Sequence, residues 1–303
     1  MKVVERIADV RAECAAARAR GERVGLVPTM GAFHEGHRSL MRAARADCDL
    51  VVVSLFVNPT QFGPNEDLAA YPREPEGDAA IARAEGVDVL FTPSVEEVYP
   101  DGPPCTTVHV AGLTEGLCGA ARPTHFDGVT TVVTKLFSIV GPARAYFGRK
   151  DFQQLAVVAR MTRDLNLPVE VVGCPLVREA DGLAMSSRNA YLTADERVAA
   201  RVLSAALRRV ADAVVAGERD PQRAVALVQE TVAQQPAVAL EYAELRDARS
   251  LEPVERIDGE CVLAIAAQVG RARLLDNVVV DVRGDAVQVD LGVRAGEIGE
   301  ERS

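Results

Sequence analysis

Tryptophan is missing from this sequence, an absence that excludes no function. Other absences exclude more. No apolar run approaches the roughly 20 residues of a membrane-spanning helix, and no secretory leader is read at the start. No C-x-x-C pair occurs. The six cysteines, Cys14, Cys48, Cys105, Cys118, Cys174 and Cys261, lie far apart and read as reduced, mostly buried thiols of a cytoplasmic protein. Positive charge is also short: 34 Lys and Arg stand against 44 Asp and Glu, a net charge of -10. That balance argues against a general nucleic-acid or membrane-surface binder. A polyanion would have to be met by a local cationic pocket in an acidic body. Internal repeats and low-complexity segments are absent too.

What is present is a soluble, globular composition, 48% hydrophobic and 26% charged over 303 residues, enough for two domains. Residues 5–20 predict an Ala/Arg-rich helix. Leu50–Val57 and Val87–Phe91 read as buried strands, Pro75–Gly86 and Asp127–Val140 as helices, Thr106–Val110 as a polar strand. Ala145–Phe147, Asp151–Asn166 and Val169–Val172 continue the alternation as strand, helix and strand. This pattern predicts an α/β fold, a Rossmann-like doubly wound parallel sheet with right-handed crossovers, over residues 1–176. Beyond it, Thr193 to Glu196 forms a capping box for a helix running to about Ala216. Asp220-Pro221 opens a second helix, and three strand-like runs follow near Leu240–Leu245, Cys261–Val269 and Leu274–Val282. Residues 177–290 therefore form a smaller C-terminal α+β domain, placed to act as a lid, and residues 291–303 a frayed tail.

Three stretches carry chemistry. In Val24–Leu40 an apolar strand ends at Pro28, a turn follows through Met30 and Gly31, and an amphipathic helix begins near Glu35. His34 and His37 stand at the helix start, where unpaired backbone N–H groups and the helix dipole favour an anion. On one helix face, both imidazoles would add donors suited to phosphate. The spacing alone is met equally by two surface histidines, but the position after the first strand of an open sheet is where ligands bind. The order H-E-G-H is one residue too short for the zinc helix H-E-x-x-H. In the second stretch, Gly148 to Gln154, Gly148 permits a close backbone approach and Lys150 can set an ammonium over a phosphate. Asp151 either caps the next helix or binds a ribose hydroxyl. The third, Asp181 to Asn189, offers Ser186, Ser187 and Arg188, which can wrap a triphosphate or form an ordinary loop.

Taken together and in order, PTMGAFHEGH, NPTQF, YPR, FGRKDFQQ and DGLAMSSRN resemble the pantothenate synthetases, the AMP-forming pantoate–β-alanine ligases of the nucleotidylyltransferase superfamily. The resemblance covers roughly residues 1–285. It implies condensation of pantoate with β-alanine at the expense of ATP, giving pantothenate, AMP and pyrophosphate through a pantoyl adenylate. It implies Mg²⁺ with ATP as co-substrate, no organic prosthetic group, and a cytoplasmic homodimer with no nucleic-acid or membrane partner. Carried onto matching positions, it puts His34, His37 and Lys150 in catalysis. Met30, Gly148, Asp151, Met185, Ser186, Ser187 and Arg188 join them around ATP. Gln61 and Gln154 match the pair that holds pantoate, and Arg122 lies in a region used near the phosphates. Phe33 stands where Leu is common, and in Glu76-Gly77-Asp78, where relatives can carry a denser acidic run, Asp78 is the candidate Mg²⁺ ligand. Two other readings share some features. A nucleotidylyltransferase acting on a phosphate-bearing substrate would not need Gln61 and Gln154, and a regulatory nucleotide-binding module would not need so many cations.

Overall fold

The computed structural model describes residues 1–64 and 66–296. In chain order they form β1 (Lys2–Val4), α1 (Ile7–Ala19), β2 (Val24–Thr29), α2 (Glu35–Asp47), β3 (Leu50–Leu55), α3 (Pro75–Ala84) and β4 (Val89–Phe91). There follow α4 (Val95–Val98), α5 (Leu117–Ala121), α6 (His125–Val140), β5 (Ala143–Gly148), α7 (Phe152–Asp164), β6 (Val169–Cys174) and β7 (Val177–Arg178). The chain ends in α8 (Ala194–Ala200), α9 (Val202–Val215), α10 (Pro221–Val232), β8 (Val238–Asp247), β9 (Gly259–Val269), β10 (Ala272–Arg283), β11 (Ala286–Asp290) and β12 (Val293–Arg294). These elements gather into two units. The first comprises Met1–Glu115, Gly119–Arg149 and Val157–Cys174; the second comprises Gly116–Cys118, Lys150–Ala156 and the described residues from Pro175 onward.

In the first unit six strands make one sheet in the order β1-β4-β3-β2-β5-β6, every neighbouring pair parallel. The run of apolar residues in β3 is buried along Leu50–Ser54, as a strand covered on both faces must be. On α2 the periodic residues Leu40, Met41 and Ala44 are the buried ones, and they join Val27, Val51, Val53 and Tyr146 in one core. From β2 the chain winds outward to β3 and β4 on one side, and to β5 and β6 on the other. The order therefore reverses between β2 and β5, which makes their carboxyl ends the place where an open parallel sheet leaves a crevice. β2 runs out into Met30–His34, and β5 ends at Gly148.

The second unit is a four-stranded antiparallel sheet, β11-β10-β9-β8, packed against α9 and α10 through Leu203, Leu207, Val210, Val228, Ile265 and Val278. Its helices start as their sequences dictate. Asp220 accepts from the Gln222 N–H at 2.8 Å with Pro221 at the first position, and Thr193 and Glu196 exchange side-chain-to-backbone bonds.

Several expectations are corrected. Thr106–Val110 is not a strand: its carbonyl and N–H groups at Val108 are taken by the Thr130 and Thr131 hydroxyls of α6 instead of a sheet partner. The helix expected from Thr193 to Ala216 is interrupted at Arg201, which ends α8 and opens α9. The stretch from 291, expected to fray, contains β12, whose Val293 and Arg294 pair in parallel with Val177 and Arg178. The rest of that stretch, 297–303, lies outside the described residues.

Candidate active site

The turn after β2 is unusual in its backbone. Gly31 (φ 88°) and Ala32 (φ 52°) both occupy the left-handed region, which alanine adopts only at a cost. Asp78, 2% exposed in the first turn of α3, holds them there. Its two carboxylate oxygens accept from the N–H groups of Ala32 at 2.9 Å and Phe33 at 2.7 Å. A side chain at Gly31 would meet Asp78 Oδ2 at 2.9 Å, so glycine is required there twice over. Burial raises the Asp78 carboxyl above its ordinary range, while the two N–H bonds pull the other way. Each Asp78 oxygen accepts one backbone N–H and keeps a second lone pair. Among the described residues no three His, Cys, Asp or Glu side chains gather in a way that could hold a metal ion. Asp78 is the anchor of the turn, and a Mg²⁺ carried by nucleotide phosphates needs no more than one or two carboxylates from the protein.

His34 is not on the helix. It is the N-cap of α2, with extended backbone (φ −129°, ψ 178°). Its Nδ1 accepts from the Gly36 N–H at 3.1 Å, and His37 Nδ1 accepts from the His34 N–H at 3.3 Å. The two rings lie 4.1 Å apart, centroid to centroid. Two consequences follow. The backbone N–H groups of His34 and Gly36, which the sequence offered to an anion, are consumed by the cap. A nitrogen that accepts carries no proton, so each neutral imidazole carries its proton on Nε2 and donates from there. The cap thus leaves fewer backbone donors at this helix start than the sequence suggests.

Gln61 closes a 3₁₀ turn after β3 and is 8% exposed. Its Oε1 accepts from Asn58 Nδ2 at 3.2 Å, and its Nε2 lies 2.9 Å from Met30 Sδ, a weak acceptor. Asn58 thereby sets which way the amide faces, and it is itself fixed by Tyr99 Oη at 2.9 Å and by its bond to the Gly128 carbonyl at 3.1 Å. Asn58 stands within NPTQF, where the sequence assigns it no task; its burial, 1% exposed, is the missing signal. The Gln61 carbonyl receives Arg122 at 3.3 Å and His125 Nδ1 at 2.8 Å. Arg122 also binds Glu66, Nε to Oε1 at 2.6 Å. Burial works to raise the Glu66 carboxyl, but the guanidinium outweighs it and leaves it below its ordinary value. Arg122 is thus tied to the Gln61 loop. Gly148, at the end of β5, would place a Cβ in open space and needs no positive φ, so neither packing nor backbone demands glycine.

In the second unit Lys150 and Asp151 lie in a 3₁₀ turn, with Lys150 Nζ 3.6 Å from Asp151 Oδ1. The Lys150 side chain is 18% exposed and that of Asp151 47%. Gln153 and Gln154 differ although adjacent. Gln153 is buried and brackets the Gly116–Cys118 segment, accepting from Cys118 N and donating to the Gly116 carbonyl, each at 2.9 Å. Gln154 is half-buried on the first turn of α7. Past β7 the chain makes a hairpin. Glu179 N reaches the Leu183 carbonyl at 2.8 Å, Met185 N reaches the Val177 carbonyl at 2.9 Å, and Gly182 (φ 91°) makes the turn. Met185 leads directly into Ser186, whose Oγ accepts from Arg188 N at 3.3 Å and keeps its own proton to donate. Ser187 and Arg188 occupy the 3₁₀ turn that Ser186 caps.

Residues 2–279 match the family model described as pantoate-β-alanine ligase. Pantothenate synthetase of Heliobacterium modesticaldum is 56% identical over 93% of this chain and 100% of that protein. Pantothenate synthetase of Moorella thermoacetica is 54% identical over 93% and 99%. Among solved structures, pantothenate synthetase from Thermus thermophilus superimposes with a TM-score of 0.87 at 46% identity, covering 91% of this chain and 98% of that one. A Francisella tularensis pantoate-β-alanine ligase, complexed with β-γ ATP and β-alanine, gives 0.74 at 32% identity over 91% and 97%.

Proposed function

This chain belongs to the pantoate–β-alanine ligase family, and from that premise we propose how its residues divide the work. It catalyses the ATP-dependent condensation of pantoate with β-alanine to pantothenate, releasing AMP and pyrophosphate. The observation that carries the assignment of roles is the capping of α2, which sets Nε2 as the protonated nitrogen of the neutral His34 and His37 rings, 4.1 Å apart.

In the first half-reaction a pantoate carboxylate oxygen bonds to the α-phosphorus of ATP, and the bond from that phosphorus to the bridging oxygen breaks. Charge grows on the phosphoryl oxygens and on departing pyrophosphate. His34 and His37 donate to those oxygens, Lys150 supplies a full positive charge, and Ser186, Ser187 and Arg188 take the leaving phosphates. Gly148 admits the nucleotide against bare backbone, Asp151 serves the ribose hydroxyls, and Met30 and Met185 supply apolar walls. Gln61 and Gln154 hold pantoate, Gln61 through the Nε2–H that Asn58 aims. Neutral amides suit a carboxylate that must remain nucleophilic. In the second half-reaction the β-alanine amine attacks the acyl carbon, the bond to AMP breaks, and the amine gives up a proton. No electrons change hands, and neither half-reaction as written calls on an organic prosthetic group. Mg²⁺ comes in as part of the nucleotide substrate. A cytoplasmic setting and a homodimer complete this reading: the widely spaced cysteines support the first, and family resemblance supports the second. Among the described residues no helix is long and apolar enough to cross a membrane.

The test separates the two halves. With pantoate and no β-alanine, the protein should exchange labelled pyrophosphate into ATP, and with all three substrates it should yield AMP and pantothenate. Exchange that appears only when the amine is present would replace the stepwise scheme with a concerted one. A dinucleotide product would instead point to nucleotidyl transfer onto a second phosphate.

A further inference from the structure

Strand β10 breaks its apolar pattern at one point. Leu274, Val278, Val280 and Val282 line its core face, but the position between the first two is Asp276, 3% exposed. Its carboxylate receives a two-pronged bond from Arg178, Nη1 to Oδ2 at 2.8 Å and Nη2 to Oδ1 at 2.9 Å. Arg178, 4% exposed at the end of β7, spends its remaining donors on the carbonyls of Gly182 at 3.1 Å, Asn277 at 3.3 Å and Leu291. One guanidinium thus ties the hairpin leading to Met185–Arg188 to the middle of β10.

The next residue, Asn277, falls on the opposite face of the strand and is 5% exposed. Its main-chain N–H is held by Asp276 Oδ1 at 2.8 Å. Its side-chain Nδ2 donates to the main-chain carbonyl of Lys150 at 2.9 Å, across 127 positions of sequence. A three-residue 3₁₀ turn supplies few partners for its own carbonyls. This one is satisfied by a buried amide that is itself locked.

We propose that Asn277 is a positioning residue for Lys150. The Arg178–Asp276 pair fixes the peptide of Asn277, Asn277 fixes the Lys150 carbonyl, and Arg178 fixes the Gly182 carbonyl. Lys150 and the Ser186–Arg188 segment are thereby referred to a single rigid point on β10. The chemistry of the proposal is geometric: an ammonium serving a developing charge must be held within a fraction of an ångström, and a displacement of about 1 Å can cost about 10²-fold in rate. The proposal rests on Lys150 serving the phosphates of ATP.

The experiment is a double-mutant cycle on pantoate-dependent pyrophosphate exchange, using the full chain and reading kcat and the KM for ATP separately. Asn277→Ala should lower kcat by about 10- to 100-fold while the KM for ATP moves less than about threefold, because the lost alignment matters in the transition state. In a Lys150→Ala background the same substitution should cost less than about twofold, since its effect travels through Lys150. Where Asn277→Ala does not fold, the near-isosteric Asn277→Asp, which keeps the shape and loses the donor, carries the same comparison. A Lys150→Ala variant with normal turnover removes the role of Lys150 and the proposal with it. A crippled Lys150→Ala beside a normal Asn277→Ala overturns the positioning role alone. An Asn277→Ala loss of equal size in both backgrounds shows a structural effect and overturns it too.

Discussion

Histidine is an uncommon helix cap, because it can accept a backbone N–H only in the tautomer that leaves Nδ1 bare. At His34 and His37 that requirement does two jobs at once: it ends the backbone of α2 and it fixes the proton on Nε2. The two jobs separate by substitution. Asparagine is among the best N-caps and offers its oxygen close to the position of Nδ1, but it has nothing at the position of Nε2. His34→Asn should therefore leave stability within about 0.5 kcal/mol and lower pyrophosphate exchange by at least about 10²-fold, the scale of one lost donor to a transition-state oxyanion. His34→Ala should lose the same activity and about 1 kcal/mol of stability besides. Thermal melts with exchange rates on both variants decide it; an active His34→Asn would make the ring a cap and nothing more. Asp78 is separable in the opposite sense. Asp78→Ala abandons two charge-assisted bonds under a turn with two left-handed residues, so we expect a loss of about 2–4 kcal/mol by denaturant unfolding. The Mg²⁺ concentration giving half-maximal activity should not move in whatever fraction remains folded. A large shift in that concentration would restore the carboxylate to the metal. The histidine pair was legible in the sequence because strand, turn and helix start are local patterns. The task of Asp78 was not, because it depends on the backbone angles of Gly31 and Ala32, 46 residues away, which no pattern of side chains discloses.

Among elements, the same division between local and distant causes recurs. The strands β2, β3 and β5 and the helices α2, α6 and α10 announce themselves through apolar period and caps. Thr106–Val110 has the alternation of a strand, yet the hydroxyls of Thr130 and Thr131 on α6 take its hydrogen bonds, and that competition is invisible without the fold. The pairing of β1 with β4 rests on Lys2–Val4 alone, too short to show a period. Asp276 is the clearest case. Within β10 it reads as a strand residue of the wrong polarity, and only the approach of Arg178 from β7 explains it. Breaking such a buried pair on one side leaves an unmatched charge. Arg178→Met should therefore cost about 3–5 kcal/mol in denaturant unfolding, whereas Arg178→Met with Asp276→Leu should recover most of that loss. Equal destabilisation by the single and double variants would mean that the bonds of Arg178 to the carbonyls of Gly182, Asn277 and Leu291 matter more than its partner charge.

For the molecule as a whole, the acidic balance creates a tension with its substrates. ATP and pantoate are anions, and the body that must receive them carries -10. The far field of that charge repels both, while the cations assigned to the phosphates attract only at short range. Salt distinguishes the two, because the Debye length shortens from about 30 Å at 0.01 M to about 8 Å at 0.15 M. The long-range repulsion fades over that interval, whereas contacts of a few ångströms in a partly buried site are screened much less. We therefore expect kcat/KM for ATP, at constant free Mg²⁺, to hold steady or rise modestly as an inert salt goes from about 0.01 to about 0.15 M. A polyanion-binding surface rich in lysine and arginine behaves in the opposite way, its on-rates falling steeply with ionic strength. A severalfold fall in kcat/KM over this range, with kcat unchanged, would show that the field around the site is already cationic well beyond contact distance. The capture of ATP would then belong to a wide basic funnel, and not to the few residues named here.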